Sequence, residues 1–221
     1  MTKKKINAAL ILFLLLPILA CCASKDDKKG KEETPATAHA QVKHHAKAKK
    51  AEMPGIENFS RIAGSEGFGG ATPGFGGATK PSAMAELKKN GFASVICLRL
   101  ATEPGAEIDA SRAAAKAAGL KYIHLPFDAK RPDPDLVGNF LADVSNKANE
   151  PVYIHCHSAS RAAALWMIGR VFEDGWSHDE AAKEATAIAE KPSEAVAFAT
   201  AYIASHEPSR HWITVPKKEE S

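Results

Sequence analysis

The chain has 221 residues, 29 Lys and Arg against 26 Asp and Glu, and an apolar fraction of 45%, which suits one globular domain with extensions. The charge is uneven: residues 1–20 hold three Lys and no acid, residues 21–52 eight Lys and five acids, and Met53 onward eighteen basic against twenty-one acidic residues. The basic balance therefore belongs to the N-terminal extension, and the mildly acidic remainder argues against a nucleic-acid-binding surface on the domain.

Residues 1–22 open with Lys3, Lys4 and Lys5 and continue into a thirteen-residue apolar run, Ala8 to Ala20, interrupted by Pro17. The run is short for a bilayer span and reads as a secretory signal. Its end, Ile18-Leu19-Ala20-Cys21, resembles a bacterial lipobox, which implies lipidation at Cys21. The protein is then exported and anchored to a membrane by its N-terminal lipid, on the periplasmic or cell-envelope side. Residues 23–52 are rich in Lys and Ala with almost no large apolar side chain, so they read as a disordered tether. His39, His44 and His45 within it are expected to be solvated.

The domain is expected over 53–210, with a polar tail over 211–221. Ile56, Phe59 and Ile62 mark a first strand or its approach. The repeat GFGGAT, at 67–72 and 74–79, predicts a glycine-rich loop with Phe68 and Phe75 as anchoring rings or cleft contacts. No Gly-Lys-Ser/Thr follows, so it is not a nucleotide P-loop. A short helix over Ser82–Asn90 is capped by Ser82 and stopped by Gly91. Strands over Ala93–Leu100 and Lys121–Leu125 flank an Ala-rich helix over Ile108–Ala118, after a turn at Glu103–Gly105. This alternation predicts an α/β fold, a mainly parallel sheet with helices on both faces. Asp133 and Pro134 are placed to start a helix over 133–148, in which Leu136, Val137, Phe140, Leu141 and Val144 recur at the helical period.

Pro151–Trp166, PVYIHCHSASRAAALW, carries the chemistry. Val152, Tyr153 and Ile154 read as a buried strand, and Ala162–Trp166 as the start of a buried helix. Such a turn aims backbone N–H groups and a positive helix end at one point, where an anion binds and a thiol ionises more readily. Cys156 then reads as a nucleophile and Arg161 as the fork that holds an oxyanion. Further helices are expected over 177–190 and 192–205, with Ser177 as a cap and Trp166, Trp176 and Tyr202 as core.

His-Cys, a short loop and Arg resemble the signature of the cysteine-based protein phosphatases. Their loop usually has five residues between Cys and Arg, then a hydroxyl; here there are four, and Ala162 follows. Four residues also occur in rhodanese-like sulfurtransferases and in the phosphatase-like domain of beta-lactamase-hydrolase-like proteins, which this chain resembles most. In the latter the loop reads Cys-x-Ser-Gly-x-Arg-Ser, with Ala159 here at the Gly. Val95–Arg99, a helix, then Tyr122–Pro126 resembles the upstream order of dual-specificity phosphatases.

The resemblance implies a dual-specificity-phosphatase-like fold and a phosphate-monoester hydrolase of phosphotyrosine or phosphoprotein type, working through a phosphocysteine. It implies a general acid on an upstream loop, and Asp128, 28 residues before Cys156, is the candidate without another role. His157, Ser158, Ala159 and Ser160 would bind substrate, a phosphorylated protein or a small phosphate ester. His155 would support the loop through backbone carbonyls and favour the thiolate. No metal or cofactor is expected. Sulfur transfer through a Cys156 persulfide, or non-catalytic anion or phosphoprotein binding, stays open. Cys97 and Cys156 are both expected near the C-terminal ends of strands in one sheet, close enough to raise the question of a disulfide.

Overall fold

The computed structural model describes residues 48–62, 72–189 and 194–206. The leader, Cys21, Phe68, most of the tether and the C-terminal tail lie outside them.

Six strands form one sheet in the order β1-β2-β3-β6-β4-β5: β1 Ala48–Lys50, β2 Ser60–Ile62, β3 Gly74–Gly76, β4 Ser94–Cys97, β5 Lys121–His124 and β6 Val152–His155. β3, β6, β4 and β5 are mutually parallel, while β1 and β2 add an antiparallel edge. Among the described residues six helices cover it: α1 Ala83–Lys89, α2 Ile108–Ala117, α3 Leu136–Ser145, α4 Ser160–Phe172, α5 His178–Ala189 and α6 Glu194–His206.

The two-residue alternation of side chains sorts the core into two layers. Ile96, Leu98, Ile154 and Cys156 face a large core built by α3, α4, α5 and α6. Val95 and Tyr153 face the other way, onto Met84 and Leu87 of α1 and Ala115 of α2. Helices therefore flank both faces, as the strand–helix alternation predicts. Central helix α4 is buried over ten successive residues, Ala162–Val171. The one charge in that stretch, Arg170, meets Glu184 of α5 at 2.9 Å, and the Trp166 indole donates to the same carboxylate at 2.8 Å. Buried ions persist only when paired in this way.

Three expectations are corrected. The end of the predicted tether joins the sheet: Ala48–Lys50 pair with Ser60–Ile62, because backbone hydrogen bonding needs no apolar pattern. The second GFGGAT copy is not a loop. Gly74–Gly76 is a strand parallel to β6, and Phe75 is wholly buried, edge-on to Trp166 at 5.1 Å. Its glycines admit neighbouring rings: a Cβ at Gly74 would lie 2.5 Å from Phe92, and one at Gly76 2.0 Å from the Tyr153 hydroxyl. Finally, α3 starts at Leu136 rather than at Pro134, because the Asp133 carboxylate accepts the Asp135 N–H at 2.8 Å and closes a turn first. Ser177 does cap α5, exchanging hydrogen bonds with Glu180 at 3.3 Å and 3.1 Å.

Candidate active site

The chain leaves β6 at His155 and enters α4 at Ser160, so Cys156, His157, Ser158 and Ala159 form the connecting loop. The loop is pinned at both ends of its turn. The Cys156 N–H donates to the Gly76 carbonyl at 3.2 Å, and Ser158 bridges to Gly77. Ala159 adopts the left-handed conformation, φ 65°, which turns the loop into the helix start. Cys156 is 1% exposed. The helix dipole of α4 points its positive end at this loop.

Arg161, in the first turn of α4, is held from below by Glu103, 58 residues earlier in the chain. Its Nη1 donates to Glu103 Oε1 at 2.6 Å and its Nη2 to Glu103 Oε2 at 2.9 Å. Nη1 also reaches the carbonyls of Leu98 at 3.1 Å and Phe127 at 3.0 Å. A guanidinium has five N–H bonds. Nη1 is thus fully committed, while Nε–H and one Nη2–H have no protein oxygen as acceptor among the described residues. The Arg161 side chain also interacts with the Cys156 thiol, and these two donors form the fork offered to an oxyanion beside it.

Glu103 is in turn fixed by the Leu100 N–H at 2.8 Å and by Arg99 Nε at 3.2 Å. Burial acts to raise its carboxyl, but the hydrogen bonds from Arg161, Leu100 and Arg99 outweigh it and hold the pKa at about 2. Sequence reading saw Glu103 only as a turn residue. Its one signal was the Arg99–Glu103 spacing of four, which is uninformative outside a helix.

A cavity of about 380 Å³ opens over this fork, lined by Leu100, Glu103, Phe127, Asp128, Ala129, Ser158, Ser160, Arg161, Glu194 and Ala195. Asp128 is thereby brought to the same cavity as Arg161. Its carboxylate accepts the Lys130 N–H at 3.0 Å and lies 3.6 Å from Arg131, so the loop itself aims it. Phe127 beside it packs edge-on against Phe198 of α6 at 5.1 Å, which ties the Asp128 loop to the helical layer. Ser158 and Ser160 share a hydroxyl–hydroxyl bond of 3.0 Å at the cavity wall.

Two expected site residues stand elsewhere. His157 lines a separate cavity of about 450 Å³ with Glu57, Thr79, Lys80 and Arg99, because successive loop residues point to opposite sides of the sheet end. His155 is 1% exposed and stacks on Tyr153 at 5.6 Å. Among the described residues neither ring nitrogen makes a hydrogen bond of good geometry, but the backbone of Cys156 and Gly77 lies close enough to act on the ring. Burial pushes its pKa down to about 4, so the ring is neutral at pH 7 and supplies no positive charge to Cys156. Ala159 is buried and contributes backbone rather than a lining side chain.

Cys97 and Cys156 are both free thiols. They face opposite sides of the sheet: Cys97 packs with Ala106 and Ile108, Cys156 with the layer of α4. The disulfide considered from sequence is therefore excluded by side-chain direction. Burial raises the Cys97 thiol pKa, which suits a small core hydrophobe.

Residues 72–172 match the family model of the beta-lactamase hydrolase-like protein, phosphatase-like domain. The fold is dual-specificity-phosphatase-like. Among solved structures with this phosphatase fold, TpbA of P. aeruginosa is similar at 21% identity and a TM-score of 0.54, over 72% of this chain and 90% of that one. TpbA has also been solved in complex with pTyr. The core catalytic domain of the PP-IP phosphatase Siw14 from S. cerevisiae is similar at 19% identity and a TM-score of 0.53, over 74% of this chain and 99% of that one. No curated protein matched by sequence.

Proposed function

We propose that the protein is a cysteine-dependent phosphatase that hydrolyses phosphate monoesters of phosphotyrosine or phosphoprotein type. The observation that carries this reading is the shared cavity: Arg161, preset by Glu103 and interacting with the Cys156 side chain, and Asp128 on the opposing loop. The Cys156 thiolate attacks phosphorus while the bond to the leaving oxygen breaks. The phosphoryl oxygens rest on the Arg161 fork and the loop amides, and Asp128 gives its proton to the leaving oxygen. Water then attacks the phosphocysteine and gives a proton to the Asp128 carboxylate as the P–S bond breaks, releasing inorganic phosphate and restoring the thiolate and the protonated Asp128.

The test is hydrolysis of aryl phosphates of graded leaving-group pKa. Cys156→Ser abolishes turnover, Asp128→Ala slows basic leaving groups far more than acidic ones, and Arg161→Lys weakens both binding and rate. The same preparations are given thiosulfate and cyanide. Cys156-dependent thiocyanate without ester cleavage would assign sulfur transfer instead, a reading that the four-residue loop favours.

The lipobox-like Ile18–Cys21 supports a further part of the proposal: the protein is exported and lipid-anchored through Cys21. Intact-mass measurement of the purified protein is expected to give a chain starting at Cys21 plus acyl mass; an unmodified chain starting elsewhere rejects lipidation.

A further inference from the structure

Proteins with this fold take different phosphates: TpbA has been solved in complex with pTyr, and Siw14 is named a PP-IP phosphatase. The lining of the 380 Å³ cavity discriminates between such classes by charge. Four of its residues are ionic: the cation Arg161 and the carboxylates Glu103, Asp128 and Glu194. Arg161 and Glu103 neutralise each other at 2.6 Å. Asp128 is faced by Arg131 from outside the cavity, at 3.6 Å, and that Arg is 88% exposed. Lys130 is exposed and does not line the cavity. Glu194, the first residue of α6, has no hydrogen bond or ion pair among the described residues, and it is exposed. The rest of the wall is Leu100, Phe127, Ala129, Ala195 and two hydroxyls.

Once a phosphate occupies the fork, the one charge left without a partner on the described wall, Glu194, is therefore negative. A substrate with several phosphates would bring its remaining anions against Glu194 and Asp128, with no further lining cation among the described residues to receive them. A monoester with a cationic group beside the phosphate finds a carboxylate waiting. The apolar stretch of Leu100, Phe127 and Ala195 gives an aryl ring its wall. Such arrangements of like and unlike charge select partners more than they add affinity.

We infer that Glu194 is a specificity residue, and that the site takes phosphate monoesters with a neighbouring cation, such as a phosphotyrosyl residue flanked by Lys or Arg, and rejects polyphosphorylated ligands. This rests on the phosphatase reading for its chemistry, but its test does not depend on turnover. Binding is measured by calorimetry on full-length Cys156→Ser protein at low salt. The probes are three phosphotyrosyl peptides that differ only in flanking Lys, Ala or Glu, together with inositol hexakisphosphate.

Lys-flanked peptide is expected to bind about fivefold tighter than Ala-flanked, with Glu-flanked weaker still, as for one partly exposed ion pair. Introducing Glu194→Gln into that protein removes the ranking, and Glu194→Lys inverts it. Because Glu194 is exposed, neither change threatens folding, and circular dichroism checks this. Equal affinity for the three peptides, a ranking unchanged by Glu194→Gln, or inositol hexakisphosphate binding tighter than the Lys-flanked peptide would each overturn the inference. Hydrolysis by the wild-type chain is followed in parallel. The expected ranking without any Cys156-dependent hydrolysis sinks the phosphatase reading and leaves the recognition standing. No binding by any peptide removes the inference, while Cys156-dependent hydrolysis of aryl phosphates still carries the phosphatase reading.

Discussion

Glu103 offers the sharpest test of how this site is held. It accepts four hydrogen bonds, two from Arg161 and one each from Leu100 N–H and Arg99. Glu103→Ala would strand two guanidiniums that are 15% and 2% exposed. Removing one partner of a buried ion pair costs about 3–5 kcal/mol. Arg161 keeps the Leu98 and Phe127 carbonyls and Arg99 those of Pro104 and Gly105, so the lower end, about 3 kcal/mol, is expected. For a domain of this size that is a fall in Tm of roughly 6–12 °C. Glu103→Gln keeps the shape and loses the charge, so it is expected to fall between wild type and Glu103→Ala.

The pH dependence gives an independent readout. The folded carboxyl titrates at about 2, below its ordinary value of 4.5. Between those values the unfolded chain binds the proton and the folded chain does not, so stability rises with pH. The contribution is complete above about pH 5 and is lost as pH falls through 4.5 towards 2. Urea denaturation from pH 7 to pH 3 should therefore show a shallower acid slope for Glu103→Gln than for wild type. If both variants lie within about 0.5 kcal/mol of wild type, below the usual cost of one lost hydrogen bond, and the acid slopes coincide, Glu103 does not organise Arg161 and the argument fails.

Two further substitutions test the loop and its neighbour strand. Gly76→Ala would put a methyl 2.0 Å from the Tyr153 hydroxyl and 2.8 Å from Ile56, so a loss near the upper end of about 1–3 kcal/mol is expected by thermal melting; an unchanged Tm would show that β3 can move away. At Ala159, a left-handed backbone costs about 1–2 kcal/mol. Glycine would relieve this but add about 0.5–1 kcal/mol of chain entropy and remove a buried methyl worth about 0.8 kcal/mol. Ala159→Gly is thus expected within about 0.5 kcal/mol of wild type, whereas Ala159→Val is expected to cost more than about 2 kcal/mol; a large gain from glycine would mean that the loop is strained by its alanine.

The residues that act through short stretches of chain were legible without coordinates. Val152–Ile154, the small loop and Ala162–Trp166 specify strand, turn and helix from local pattern, so Cys156 and Arg161 arrive together at a helix start. The parallel sheet followed from strand–helix alternation. Asp128 could be named because its neighbours Asp133 and Asp135 already had roles at a helix start, and the structure brings it to the cavity of Arg161.

What the sequence left undecided depends on which strands lie side by side. Glu103 meets Arg161 across 58 residues because β4 and β6 are neighbours in the sheet. The glycine strand β3 carries no apolar alternation; only Phe92 and Tyr153, arriving from elsewhere in the fold, explain its missing side chains. Cys97 and His157 were assigned by their closeness along the chain or sheet, whereas the two-residue alternation of side chains sends them to the far face and to another cavity. Local sequence determines which backbone forms where; only the packed sheet decides which charged groups share a low-dielectric space, and there their interaction is strong enough to set a carboxyl pKa at about 2.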